Sequence, residues 1–417
     1  MTHRRGPRRA ALLTSAVTVA LLLPLLAATG TAASADDGGP VVTHVAASPR
    51  AEGDEQDIAE AALAAVEELV EPADPAGPAV PSDPAVPADP TDAAAGDGAR
   101  GKNLTLALRD LALTRADLPK GKRRTAARLL ARPTDAPAEC RAEDAAFGRN
   151  FCYHRDFAAK KLCDDTFCVH WSKQPRHRVP GDNNGRGGLY PGTFGGAPDY
   201  VEFTLSTARR VANAYARAGY DRPPSDGGAG GTEQLDIYLA DLWSAGLYGY
   251  CATDTNITAH TSAPSYCVLD SSFMDYGIHP RSALRATVAH EYFHSVQFGY
   301  DVGEDAWMME ATATWAEDEI FDGINDNRAY LPYGPLGFPQ RSLGSSSGLT
   351  PYGAWIFFRH LSETWPAEVG RLPVIVRQIW EGAAGSRSSM TAIKSVLNKR
   401  GTTYPAEFAR FSTRNRR

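Results

Sequence analysis

Two histidines four residues apart, with a glutamate directly after the first, constrain this chain more than any other feature. They stand in the run His290-Glu291-Tyr292-Phe293-His294. Residues four apart share one face of an α-helix, so both imidazoles can aim at one point while Glu291 projects from a flank. Sixteen residues past His294 comes Glu310, inside Trp307-Met308-Met309-Glu310-Ala311-Thr312-Ala313-Thr314-Trp315. Two imidazoles and one carboxylate are a donor set for zinc. Such sites keep a fourth position open for a water, whose pKa the ion lowers towards about 7. The expectation is a metal held by His290, His294 and Glu310, with Glu291 as general base. The bland alternative is a solvated helix face that happens to carry these residues.

The surroundings suit two helices. Pro280 fits a first helical turn, and Leu284, Val288, Tyr292 and Val296 recur every fourth residue, with Phe293 widening the stripe. A helix is expected from about 281 to 298, with His290, His294 and Gln297 on a second face looking into a cleft. Asp305 is a suitable N-cap for the next helix, on which Trp307, Ala311 and Trp315 lie opposite Glu310, Thr314 and Glu317. The polar segment from Gly299 to Glu304 is short enough for a helix-helix turn.

This pairing resembles the gluzincin class of zinc metalloproteases. The wording is similar to bacterial collagenase-like and related secreted peptidases, which carry His-Glu-Tyr-x-His, a nearby Gln, then Trp-x-x-Glu, small residues and an aromatic. Tyr292, Gln297, Trp307, Glu310, Ala311 and Trp315 occupy those places. The likeness is strong over Thr287 to Glu319 and weaker from Cys152 to Leu361, through Pro198-Asp199-Tyr200-Val201, Asp236-Ile237-Tyr238-Leu239 and Tyr352-Gly353. It implies zinc at His290, His294 and Glu310. It also implies a substrate-holding edge strand just before the active-site helix, the place of Tyr266-Cys267-Val268-Leu269. A metzincin needs Gly at 297 and His at 300, where this chain has Gln297 and Tyr300. The interval to Glu310 is short for many gluzincins, so Glu304, Glu317 and Asp318 stay open as rivals for the third ligand.

The first 35 residues read as an export signal: Arg4, Arg5, Arg8 and Arg9, then an apolar run from Ala10 to Ala28, then Ala33-Ser34-Ala35 as a small-x-small cleavage site. The rival reading, an uncleaved membrane anchor, is opposed by Pro24 and by that site. Removing four arginines takes the net charge from −6 to −10, which argues against nucleic acid as a partner. No other segment approaches membrane-spanning length.

Six cysteines remain: Cys140, Cys152, Cys163, Cys168, Cys251 and Cys267. An even count in an exported chain points to disulfides. Cys251 and Cys267 flank one polar loop and should pair, and the other four should pair among themselves. The competing use is a zinc site from Cys163 and Cys168 with His154 and His170.

Residues 36–135 read as low-complexity linker and candidate propeptide. Asp57 to Val70 suits an amphipathic helix with Ile58, Leu63, Val66 and Val70 on its stripe. Pro72 to Pro90 repeats Pro-Ala-Asp-Pro-like units and cannot bury a core. Leu104, Leu108 and Leu111 suit a further helix before the basic run Lys120-Gly121-Lys122-Arg123-Arg124. A propeptide clipped at that run and an N-terminal arm packed on the catalytic domain explain this stretch equally well.

The body is expected from 140 to 417. Asp199 should cap a helix to about Ala218, Leu235 to Leu239 alternates like a strand, and helices should cover Tyr352 to Leu361 and Leu372 to Trp380. Calcium is a further candidate ligand, at Asp182-Asn183-Asn184-Gly185 or at Asp322, Asn325 and Asp326, although both runs also suit plain turns.

The expected fold is α+β: a zincin-like domain with a small sheet, an active-site helix and a helical C-terminal lobe. The expected function is a secreted zinc-dependent endopeptidase acting on protein or peptide. Tyr352, Tyr333 and His360 are candidates for stabilising the oxyanion. Two alternatives stay open: an exported binding or adhesion protein on a non-catalytic zincin fold, and a zinc hydrolase of cell-wall amides.

Overall fold

The computed structural model describes residues 52–71, 104–135, 151–157, 159–181, 189–190, 196–253, 256–385 and 388–415. The signal segment, the proline tract, Cys140 and the run Asp182 to Gly185 lie outside the described residues. No described helix is long and apolar enough to cross a membrane.

The fold is mixed α and β around a five-stranded sheet. Its strands are β1 (Lys160–Cys163), β2 (Phe167–Trp171), β3 (Leu235–Ala240), β4 (Gly249–Ala252) and β5 (Tyr266–Asp270), in the order β1-β2-β3-β5-β4. β2, β3 and β5 run parallel, and β1 and β4 are antiparallel edges. The inner strands are buried along nearly their whole length rather than in alternation, because helices cover both sides of the sheet. This corrects one expectation. Tyr266 to Leu269 is an inner strand, paired with β3 on one side and β4 on the other. The edge nearest the histidines is β4, whose four-residue Gly-Tyr-Cys-Ala run carries too little pattern to be read as a strand.

One face packs on two long helices. Phe167, Val169, Ile237, Leu239 and Leu269 share a core with α4 (Asp199–Ala218) and α5 (Pro280–Tyr300). The helix expected to be capped by Asp199 instead begins there, with Pro198 in the cap position, and ends at Gly219 in the left-handed region, which glycine adopts at no steric cost. Tyr215 on α4 donates to the Ala289 carbonyl at 3.1 Å, one residue before His290. α5 carries Pro280 in its first turn. From Ala286 to Phe298 every one of its residues is buried, so it has no solvated face, only different buried surroundings on different sides.

The opposite face packs on the N-terminal helices α1 (Glu52–Leu69), α2 (Leu104–Thr114) and α3 (Lys120–Leu129). Tyr238, Tyr250, Ala252, Tyr266 and Val268 meet Ala59, Leu63, Val66, Leu104, Leu108 and Leu111. Each buried leucine contributes about 1.5–3 kcal/mol, enough for a short helix to stay docked against a sheet although it would be marginal alone. Ile58, placed on the buried stripe by its spacing, is 43% exposed, and Ala59 takes the inward position. These helices belong to the same compact unit as the sheet, Arg50–Arg417.

The C-terminal part is helical: α6 (Ala306–Phe321), α7 (Thr350–Gly353), α8 (Trp355–Thr364), α9 (Val374–Ala383), α10 (Ser389–Asn398) and α11 (Tyr404–Arg414), with a short β6–β7 pair (Glu368–Val369, Leu372–Pro373). α6 is its central member. Trp315 donates to Ser362 on α8 at 3.0 Å, and Trp307 donates to Ser389 on α10 at 3.1 Å.

Two covalent ties fall within the described residues. Cys251–Cys267 joins directly opposed residues of β4 and β5, and Cys163–Cys168 closes the β1–β2 hairpin. The second pairing closes off the zinc reading for these thiols. His170 is committed elsewhere, to Asp236 at 2.7 Å. Cys152 is also disulfide-bonded.

A buried ion cluster fixes the chain between α3 and the sheet. Arg132, 1% exposed, reaches Asp236 at 2.6 Å and Asp226 at 2.7 Å. Removing one member of such a cluster leaves uncompensated buried charge and costs about 3–5 kcal/mol. Arg132→Met should lower the unfolding free energy by about that amount, read from the urea midpoint at constant slope. A change within error of zero would show that solvent reaches Asp236 and Asp226.

A candidate metal centre between two buried helices

α5 and α6 are joined by the turn from Asp301 to Asp305 and pack closely against each other. That packing brings Glu310 of α6 against the two histidines of α5. Glu310 Oε2 lies 3.2 Å from His290 Nε2 and 3.6 Å from His294 Nε2. Within the described residues, His290, His294 and Glu310 are the one His/Cys/Asp/Glu group whose ligand atoms converge, all within 4.8 Å of one another. All three are at most 1% exposed.

The far nitrogen of each imidazole has a partner. His290 Nδ1 meets Glu317 Oε1 at 2.7 Å, and His294 Nδ1 meets Gln297 Oε1 at 2.7 Å. Gln297 is oriented in turn by donating to the Met309 carbonyl at 2.9 Å and to Thr312 Oγ1 at 3.0 Å. Its amide oxygen therefore faces His294 as an acceptor, so Nδ1 carries the proton of that bond and Nε2 is the nitrogen turned towards Glu310. Partners of this kind orient metal-ligating histidines and raise their basicity.

The inward atoms are under-satisfied. His294 Nε2, Glu310 Oε1 and the Tyr352 hydroxyl have no hydrogen-bond partner among the described residues. Unpartnered buried polar atoms are costly and call for an explanation. Here they surround the convergence point of two imidazole nitrogens and a carboxylate, so the donor set fits a divalent cation. Burial pushes the Glu310 carboxyl upward, but the His294 and His290 imidazoles outweigh it and hold it down to about 2. The third donor is thus an anion at any ordinary pH.

Glu291 is held apart from this triad. Its side chain turns towards β4, where a Cβ added at Gly249 would stand 3.0 Å from Glu291 Cγ and 2.8 Å from Thr287 Cγ2. Glycine at 249 is what allows strand and helix to approach so closely. Burial raises the Glu291 carboxyl, partly opposed by His290 and His294. A carboxyl raised in this way is a better proton acceptor near neutral pH.

Tyr352 completes the enclosure. Its ring stacks on His290 at 6.0 Å and meets Tyr330 at 5.2 Å. Backbone contact sets its place, since a Cβ on Gly353 would lie 2.3 Å from the Gly334 nitrogen. Burial, with the nearby Glu310 charge, pushes its hydroxyl well above the usual range, so it remains a donor. His360 lies elsewhere, bonded to Glu407 at 2.8 Å.

Of the rival ligands, Glu317 supports His290 from behind, Asp318 pairs with Arg359 at 2.7 Å, and Glu304 caps the turn between the helices. Asp322, Asn325 and Asp326 form no such ligand group among the described residues. Sequence reasoning missed Thr105, whose hydroxyl donates to Glu291 Oε2 at 3.0 Å from 186 residues away. Nothing local marks it.

Glu317→Gln should weaken divalent-metal affinity by roughly 10–100-fold, the usual cost of losing an oriented histidine partner, measured by chelator competition. Unchanged affinity would show that Glu317 does not orient His290. Glu304 generates a separate expectation. Burial pushes its carboxyl up to about 7 from an ordinary 4.5, with the Asp305 amide opposing. Between those values the folded state keeps a proton that the unfolded state has lost, so this group's contribution to stability falls as pH rises and levels off above about 7. Glu304→Gln should therefore gain on wild type, in urea midpoint, from about pH 5 to about pH 8. A constant difference would remove Glu304 from the pH dependence.

No protein-family model matches this chain, and no curated protein matches its sequence. The metal assignment accordingly rests on the geometry of His290, His294 and Glu310.

Proposed function

We propose that this chain is an exported zinc endopeptidase of gluzincin type. The observation that carries the reading is the convergence of His290, His294 and Glu310 with Glu291 set beside them, facing a sheet edge. The two-imidazole, one-carboxylate donor set suits zinc, which in catalytic sites takes three protein ligands and leaves one position open. The export signal read at residues 1–35 and the disulfides at Cys163–Cys168 and Cys251–Cys267 support an oxidising, extracellular compartment.

Zinc held there supplies Lewis acidity to a water and to a substrate carbonyl. The protein's own groups do the rest. Glu291 takes the proton of the attacking water and delivers it to the leaving amine. The Tyr352 hydroxyl, whose ring stacks beside His290, is the donor assigned to the developing oxyanion. β4 is the strand along which an extended peptide would lie, since it is the sheet edge that Gly249 brings against Glu291. Glu317 and Gln297 hold the imidazoles in register.

Glu291→Ala leaves all three ligands in place. The purified mature chain should hold close to one zinc per molecule and cleave casein. The variant should hold the same zinc and lose roughly 10²–10⁴-fold in rate. Equal rates in the two proteins would remove Glu291 as the base, and failure of either to hold zinc would overturn the metal assignment.

A further inference from the structure

The site that the preceding reading calls catalytic is closed. His290, His294 and Tyr352 are 0% exposed, and Glu291 and Glu310 are 1% exposed. On the peptidase reading an extended peptide lies along β4 beside Glu291, and α2 packs on that strand. At its first turn Thr105, fully buried, makes two contacts that a bound peptide would need. Its hydroxyl donates to Glu291 Oε2 at 3.0 Å and accepts the Cys251 N–H of β4 at 3.0 Å. One side chain thus occupies both the general base and a backbone donor of the strand edge.

A second contact, one helical turn on, pins α2 over the metal-bearing helices. Arg109, 6% exposed, donates through Nη1 to the Glu304 carbonyl at 2.8 Å and to Met309 Sδ at 3.0 Å. Met309 precedes the ligand Glu310. The guanidinium also pairs with Asp110 at 2.7 Å, a half-exposed residue of the same helix. α2 therefore bridges the β4 edge and the α5–α6 turn.

We propose that α2 is an autoinhibitory segment: it stands in the position of an extended peptide substrate at the β4 edge, and the folded chain is a latent form that turns over once α2 is displaced. This rests on the peptidase reading for what is inhibited. The lid itself is a claim about α2 and β4 alone. The exposed basic run on α3, Lys120 to Arg124, lies between α2 and the Arg132 anchor. A cut there would free α2 from the body while leaving Arg132 with the sheet.

The test uses the mature chain, Arg109→Ala and Thr105→Val, the last being close in shape but without the hydroxyl. Hydrogen exchange is measured without metal, and peptide hydrolysis with zinc added. In both variants residues 104–114 and 249–252 should exchange about tenfold faster or more than in wild type while residues 283–298 of α5 are unchanged, the mark of a locally opening unit. Zinc-loaded variants should cleave a fluorogenic peptide several-fold faster than wild type. If 104–114 and 283–298 accelerate together, α2 is an integral core layer and the proposal fails. It fails equally if α2 opens locally in the variants and a wild type that cleaves peptide is no slower than they are. If local opening is seen and no form hydrolyses any peptide, the lid stands and the peptidase reading is what has failed.

Discussion

Everything at the centre of this protein depends on placing one carboxylate between two imidazoles inside a buried helix pair. Burying an ionised glutamate is expensive unless opposite charge or a metal compensates it. Glu310 meets that demand through His290 and His294, which outweigh the burial and keep it ionised. The same demand explains the shell behind them. Glu317 and Gln297 fix the imidazoles, Thr312 and Met309 fix Gln297, and Trp380 donates to Thr312 at 3.1 Å. α5 and α6 are buried almost throughout because both sides carry parts of this network.

The sheet serves that pair. α4 locks α5 through the Tyr215 bond to the Ala289 carbonyl, and the Cys251–Cys267 bridge packs against the Glu291 backbone. Closing a loop of this size is worth about 3 kcal/mol in the chain-entropy account. Here it also holds the short β4 edge in register, with Gly249 opposite Glu291. The far side of the sheet depends on α1, α2 and α3, so residues that read as arm or propeptide are structural neighbours of the catalytic candidate. That gives α2 two roles, covering apolar strand residues through its leucines and contacting Glu291 through Thr105.

How much was legible varied with the range of the interaction. The α5 and α6 helices, the shared face of His290 and His294 and the Cys251–Cys267 bond followed from spacing and from cysteine positions. Leu104, Leu108 and Leu111 marked α2 as helical. Helix ends shifted by a residue or two: α5 runs to Tyr300. Ile58 faced out because one exposed position on a short amphipathic helix cannot be told from its neighbour by period alone. The choice of Glu310 over Glu304, Glu317 and Asp318 needed the interhelical packing, since all four lie close together in the chain.

The sequence by itself determined the donor chemistry. His-Glu-x-x-His settles which imidazoles are offered and on which helix face, and the carboxylates that follow settle the type of the third donor, because helical periodicity is a local property. The tertiary structure alone decided strand order, which made β4 the edge and Tyr266–Asp270 an inner strand. It also decided which helix covers that edge. Strand order and the Thr105–Glu291 contact depend on pairings between segments far apart in the chain, and no local pattern encodes them. They emerge only when burial of both sheet faces selects one arrangement.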